Sequence, residues 1–286
     1  MIGMLASVID GILVGAVYGL AAMGLTLIWG VMNVINLAHG AIIVIGMFIL
    51  YVLVYSFGAE PYVAVPVTIV VTFVFGVALY WISVHRMIGQ AHLMSLLSTF
   101  AVNMVLIGLG TAWWSTSPYN VPVNVPGISW QRYTFTGTHI AAAIVAAVIA
   151  GLLWLLLHHT RIGKAIRAVS NNRQAAELCG IPTTQVLAMA FGLGVALAGV
   201  SGTLIATLFP FTVLSGDAYQ LKSFVVTVLG GLGSPAGALF GGIALGLVEG
   251  IATPFMSVSW IPVLEFGLFI LCLIAFPRGI FSFMKD

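Results

Sequence analysis

The stretch LHHTRIGKAIRAVSNNRQAAELCGIPTTQVLAMAFGLGVALAG, residues 157–199, decides how the chain is read. It joins the end of one apolar run to the start of the next. Between them it holds the densest charge in the protein: Arg161, Lys164, Arg167, Arg173 and Glu177. A short helix is written there with its own punctuation. Asn171 or Asn172 can cap its start, because a short amide side chain accepts the free N–H groups of a first turn; Asn171 with Gln174 has capping-box spacing. Gly180 suits the left-handed position just past the helix end, and Pro182 stops continuation. Ala175, Ala176, Leu178 and Cys179 give the helix a small apolar face. The basic residues alone are what an ordinary positive-inside loop carries. A capped helix with an apolar face also reads as a docking element for a groove on another protein.

Outward from this stretch everything is apolar. The chain is 61% hydrophobic and only 6% charged, with a mean hydropathy of +1.18. A soluble domain carries about 25% charged residues, so this chain could not cover a water-facing surface. The expected fold is all-α: a polytopic transmembrane helical bundle of about eight or nine spans with broken or half-helices, forming one membrane domain over residues 1–286. A net charge of +2 gives no footing for nucleic acid. Cys179 and Cys272 imply no disulfide framework, and no paired Cys/His spacing for a metal is present. No basic segment precedes the first apolar run, so it is expected to remain as a span rather than be cleaved.

A span needs roughly 20 apolar residues. Residues 4–29 qualify, and Gly11-x-x-x-Gly15-x-x-x-Gly19 lines one helix face, where another backbone can approach. Further spans are expected at 38–57, 62–84, 94–114, 139–157, 185–208, 236–256 and 260–276. The fourth carries Ser95, Ser98, Thr99 and Asn103 near one face. The last two carry Glu249 and Glu265. Residues 221–232 would rise only ~18 Å as a helix, so this segment either begins earlier, near Asp217, or is a half-helix. Residues 31–40, with Asn33, Asn36 and His39, read either as a turn or as a broken helix whose backbone is satisfied by protein or a water-filled cavity. Residues 115–138 form the one long loop on the opposite side, extended through V-P-V-N-V-P and able to form a hairpin or lid.

Charge sets the orientation. Seven of the nine Lys and Arg residues fall on one side if the Arg86 loop, residues 159–184 and the C-terminal end are cytoplasmic, leaving Arg132 and Lys222 outside. That places the N-terminus outside. Asp217 and Lys222 are close enough in sequence for a local surface pair. The segments N-L-A-H-G-A-I-I-V-I-G and G-L-G-S-P-A-G-A-L-F-G each put a polar or glycine break before a Gly-Ala-led helix, as an internal repeat would.

Ionisable and polar groups inside a membrane are functional candidates. Glu249 is the foremost, because a carboxylate in lipid must be paired, hydrated or protonated; Asn36, His39 and Asn103 join it as candidate substrate-path residues. Such a path suits a neutral or zwitterionic solute with an apolar side chain. No phosphate-cradling G-x-x-x-x-G-K-[ST], no G-x-S-x-G and no H-E-x-x-H occurs, so the chain reads as no enzyme and without a cofactor of its own.

Three stretches together carry a family resemblance: T-R-I-G-K-A-I-R-A-V-S-N-N-R-Q-A-A-E-L-C-G-I at 160–181, G-V-M-N-V-I-N-L-A-H-G-A at 30–41, and G-G-L-G-S-P-A-G-A at 230–238 followed by Glu249. The chain resembles permease subunits of bacterial ABC importers for branched-chain amino acids, over nearly its whole length. The resemblance implies an inner-membrane, multi-pass subunit paired with a second homologous permease. It implies two cytoplasmic ATPases holding ATP and magnesium, and a periplasmic binding protein that delivers the solute. It assigns ATPase coupling to Arg173, Ala176, Glu177, Leu178 and Gly180. The alternative is a self-contained channel or ion-coupled carrier for a small neutral solute such as urea or an amide.

Overall fold

Glycine decides how the helices meet. In the computed structural model, which describes residues 2–90, 92–130, 133–276 and 279–280, α1 (Ile2–Met32) runs antiparallel against α10 (Pro235–Ala252). Their contact is backbone on backbone. A Cβ on Gly15 would stand 2.6 Å from the Gly242 carbonyl oxygen, and one on Gly19 would stand 2.7 Å from that of Leu239. The glycine face expected in the first span is therefore a packing seam. Lipid offers no hydrophobic gain for helix association, so close van der Waals approach supplies it.

The chain proceeds through α2 (His39–Phe57), α3 (Ala64–Leu79), α4 (His92–Trp114) and α5 (Gly137–His159). Then come α6 (Arg161–Asn171), α7 (Arg173–Leu178), α8 (Thr183–Leu208) and α9 (Gly216–Gly230). After α10 the described part closes with α11 (Ile261–Ala275). Seven of the described helices are long and apolar enough to cross a membrane: α1, α2, α3 with its continuation to Met87, α4, α5, α8 and α10. The shorter α9 and α11 have 15 residues each, a rise of about 22 Å. Counting those two gives the parity expected from charge. Arg132, Arg278 and Lys285, used in that count, lie outside the described residues. Between α4 and α5 a hairpin pairs β1 (Ile128–Trp130) with β2 (Tyr133–Phe135), the small hairpin read as one option for that loop.

α8 is the axle of the bundle, buried along most of its length. Its glycines face different neighbours: Gly194 meets α1 at Gly24, Gly202 meets α2 at Ile43, and Gly199 meets α3 at Thr72. The small residues that make this span look featureless in sequence let three helices close around it.

The bundle has two distinguishable ends. At the basic end, the Ser170 hydroxyl of α6 donates to the Gly30 carbonyl, 2.5 Å away. At the far end, His139 Nδ1 lies 3.1 Å from Asp10 Oδ1. There an aromatic group of Phe48, Trp114, Tyr119 and Phe211 pins the long loop, with Phe48 stacked on Trp114 at 4.4 Å. Tyr119 and Phe211 exchange backbone hydrogen bonds.

Candidate functional site

Two helices begin inside the bundle rather than at its surface. α1 ends at Met32 at the basic end, yet His39, the first residue of α2, bonds through Nε2 to the carbonyl oxygen of Ala21. Ala21 lies about 16 Å back along α1. Residues 33–38 therefore return into the membrane without forming a helix, as the broken-helix reading expects. Asn33 takes a left-handed φ of 51° to make the turn, a conformation asparagine tolerates better than most residues. The Asn36 side-chain oxygen accepts from the Ala38 N–H at 3.0 Å, an Asx turn that starts α2. The Thr99 hydroxyl of α4 accepts from the Leu37 N–H and reaches the Ile35 carbonyl at 3.1 Å.

A second break faces the first. α8 ends at Leu208, residues 209–215 turn inward, and α9 starts at Gly216, packed against Gly40. Gln220 ties the two breaks together: its side-chain oxygen accepts from the Gly40 N–H at 2.5 Å, and its Nε2 donates to the Asn36 carbonyl at 3.3 Å. The segment begins at Gly216, beside Asp217, the first of the two forms expected. The partner of the 33–38 break is 209–215, not the glycine run that the sequence comparison matched to it. Residues 231–234 form a tight turn at the basic end, with φ of 93° at Gly231 and 84° at Gly233.

Asn36 and His39 are 1% and 0% exposed. His39 Nε2–H donates to the Ala21 carbonyl, which in a neutral imidazole leaves Nδ1 as an acceptor. That Nδ1 and the Asn36 Nδ2 have no partner among the described residues. A free acceptor and a free donor, both buried at the break, are what a water or a passing polar group would engage. Asn103 is buried one turn beyond Thr99 on the same face of α4. Thr99 thus sits against the residues on either side of Asn36, and Asn103 lies one turn further along α4.

Glu249 belongs to a different cluster. Lys222 of α9 donates to Glu249 Oε1 of α10 at 2.5 Å and to Glu265 Oε1 of α11, and its ammonium lies 4.9 Å from the Tyr18 ring centroid. Glu265 is 1% exposed. One cation shared by two carboxylates holds three helices together, as buried charge requires a partner. The expected Asp217–Lys222 surface pair does not form. Lys222 points to α10 and α11, and Asp217 is exposed in the first turn of α9, where a negative charge is favourable.

The basic stretch folds as two helices rather than one. Thr160 caps α6 by accepting from the Gly163 N–H, and Ile166 and Val169 are buried against the bundle. The chain then turns at Asn172, whose side chain caps α7 by accepting from Ala175 N–H at 3.0 Å. Asn171 is instead the last residue of α6, so the spacing to Gln174 makes no capping box. α7 ends as its punctuation predicts. Gly180 has φ of 79°, its N–H donates to the Glu177 carbonyl, and the Ile181 N–H donates to that of Ala176, the Schellman pattern. Glu177 takes a 2.5 Å hydrogen bond from the Thr183 hydroxyl and lies 3.3 Å from Arg173 Nε. Those bonds, Thr183 first, hold its carboxyl below the ordinary glutamate value. Ala176 is buried beneath the turn, while Leu178 is 91% exposed. α7 is therefore a rigid knuckle with an apolar tip.

The family described as "Branched-chain amino acid transport system / permease component" matches residues 7–274. The chain belongs to the branched-chain amino acid permease family. It is 28% identical to the high-affinity branched-chain amino acid transport system permease protein BraD of Pseudomonas aeruginosa, over 96% of this chain and 95% of that protein. It is 26% identical to the corresponding LivH of Escherichia coli, over 96% and 94%. It is 29% identical to a probable branched-chain amino acid transport permease protein LivH of Methanocaldococcus jannaschii, over 83% and 78%. No solved structure gives a significant match. The matched region takes in both breaks of the permease, the Lys222 cluster, and α6 with α7.

Proposed function

We propose that this permease is the membrane-spanning subunit of an ATP-driven ABC importer in the bacterial inner membrane. It moves branched-chain or other neutral amino acids handed over by an extracytoplasmic binding protein. In this reading the basic end is cytoplasmic, a second homologous permease completes the channel, and two ATPase subunits holding ATP and magnesium bind beneath it. The observation that carries the reading is α7. It is closed at both ends by its own hydrogen bonds, braced on α8 through Thr183–Glu177, and presents Leu178 almost fully to solvent. A capped helix with an exposed leucine tip is the shape that fits a groove on a partner. Arg173, Ala176, Glu177 and Gly180 build that shape; Leu178 makes the contact. The path residues are Asn36, His39 and Asn103 around the break; the unpartnered Asn36 Nδ2 and His39 Nδ1 offer brief hydrogen bonds to a zwitterion. Glu249, bound to Lys222, serves the bundle instead.

Leu178→Asp tests this. The variant should reach the membrane at normal level, lose the ATPase on gentle purification, and lose uptake of labelled leucine. Normal uptake with the ATPase retained would remove α7 from the coupling role. Uptake continuing in vesicles without ATP would favour a channel or carrier.

A further inference from the structure

A cleft of about 720 Å³ opens at the basic end between α1, α5, α6 and α10. Its size falls within the ~300–1,000 Å³ of pockets that take organic ligands. Its lining is graded. The deep part is apolar, with Met23, Leu27, Leu153 and Leu239. The end nearest α6 is polar and carries Arg167, Ser170 and Asn171. The wall along α5 is open: Gly151 would meet nothing within 4 Å if it carried a Cβ, and Trp154, stacked on His158 at 4.8 Å, is 48% exposed. Tryptophan at this level is the residue expected where hydrocarbon gives way to headgroups.

Charge names the occupant. Arg161, Lys164 and Arg167 have no carboxylate partner among the described residues, and the nearby Glu177 is taken by Arg173 and Thr183. The cleft lining contains no Asp or Glu, so the ammonium of a zwitterion would find no counter-charge there. An anion with an apolar tail satisfies both ends. Basic pockets between membrane helices are suited to anionic headgroups.

We propose that this cleft binds an anionic phospholipid. The phosphate sits at the Arg167 guanidinium, whose planar donors match phosphate oxygens, and one acyl chain lies along Gly151 and Leu239. The site is separate from α7 and from the two breaks, so the proposal stands whatever becomes of the coupling assignment.

The test uses the intact permease assembly, delipidated in detergent and offered phosphatidylglycerol or phosphatidylcholine of the same chains, with retained lipid read by native mass spectrometry. Phosphatidylglycerol should be retained preferentially. Arg167→Gln should lower its retention about tenfold, the loss of one charged hydrogen-bonding partner. Gly151→Phe, placed in open space, should block the chain and abolish retention, whereas Gly151→Ala should not, with melting temperatures confirming that all variants fold. Equal retention of the two lipids overturns the proposal. So does sensitivity to Arg167→Gln without sensitivity to Gly151→Phe, which would mean surface charge alone. Cross-linking of Gly151→Cys to a second permease would make the cleft a subunit interface and would also overturn it.

Discussion

Lys222 and Glu265 meet across 43 residues of sequence, from α9 to α11, at a point where Glu265 is all but inaccessible. Lys222 is the one cation for both Glu265 and Glu249, so removing it leaves two buried carboxylates without a counter-charge. Lys222→Ala should therefore destabilise the permease by about 3–5 kcal/mol. Thermal unfolding in detergent should show the loss. A triple variant with Lys222→Met, Glu249→Gln and Glu265→Gln should be more stable than Lys222→Ala, because no charge is left stranded.

The α7 brace depends on pH. Glu177 sits below the ordinary carboxylate value in the folded chain, chiefly through the Thr183 hydroxyl and also through Arg173. A depressed carboxylate contributes its stabilisation fully above the unfolded value of about 4.3 and loses it as pH falls through the folded value. Amide protection factors across residues 173–181, with the intrinsic pH dependence of exchange divided out, should fall on acidification in that window and stay flat from pH 6 to 8. Thr183→Val should move the onset to higher pH.

Asn172→Ala removes the side chain that accepts the Ala175 N–H, and the first turn of α7 should loosen by about 1 kcal/mol. Faster exchange confined to residues 173–178, with the spans unchanged, is the expected signature. Protection equal to wild type would show that packing on α8 holds α7 without its cap.

Glycine substitutions should divide by what a methyl would meet. At Gly242 a Cβ would stand 2.6 Å from the Gly15 carbonyl oxygen, whereas at Gly108 it would meet nothing within 4 Å. Gly242→Ala should cost about 1–3 kcal/mol through overpacking. Gly108→Ala should be neutral or slightly stabilising, since alanine is the better helix former by about 0.8–1.0 kcal/mol. The melting temperature of Gly242→Ala should fall, and that of Gly108→Ala should hold or rise.

The membrane spans were legible because hydrocarbon demands long apolar runs, and the Asn36–His39 break because polar residues interrupt one. The end of α7 was legible because Gly180 and Pro182 act within a few residues of themselves. What escaped depends on distance. Lys222 seemed matched to Asp217, its neighbour in sequence, but residues five apart on a helix do not face each other, and its partners lie on helices that follow much later. Gln220 carries no signal at all until Gly40 and Asn36 are placed beside it. α6 was missed as a separate helix, although Gly163, Ile166 and Val169, three apart, trace its buried face.

The Ser170–Gly30 hydrogen bond has a mechanical meaning. Gly30 lies two residues before the end of α1, and the non-helical run 33–38 begins immediately after it. In the proposed coupling reading, a push on α7 passes along α6 to that last turn, and from there to a non-helical run tied down by Thr99 and Gln220. In that reading the movement is delivered within the bundle, beside Asn36 and His39, and not at the rim where the push arrives.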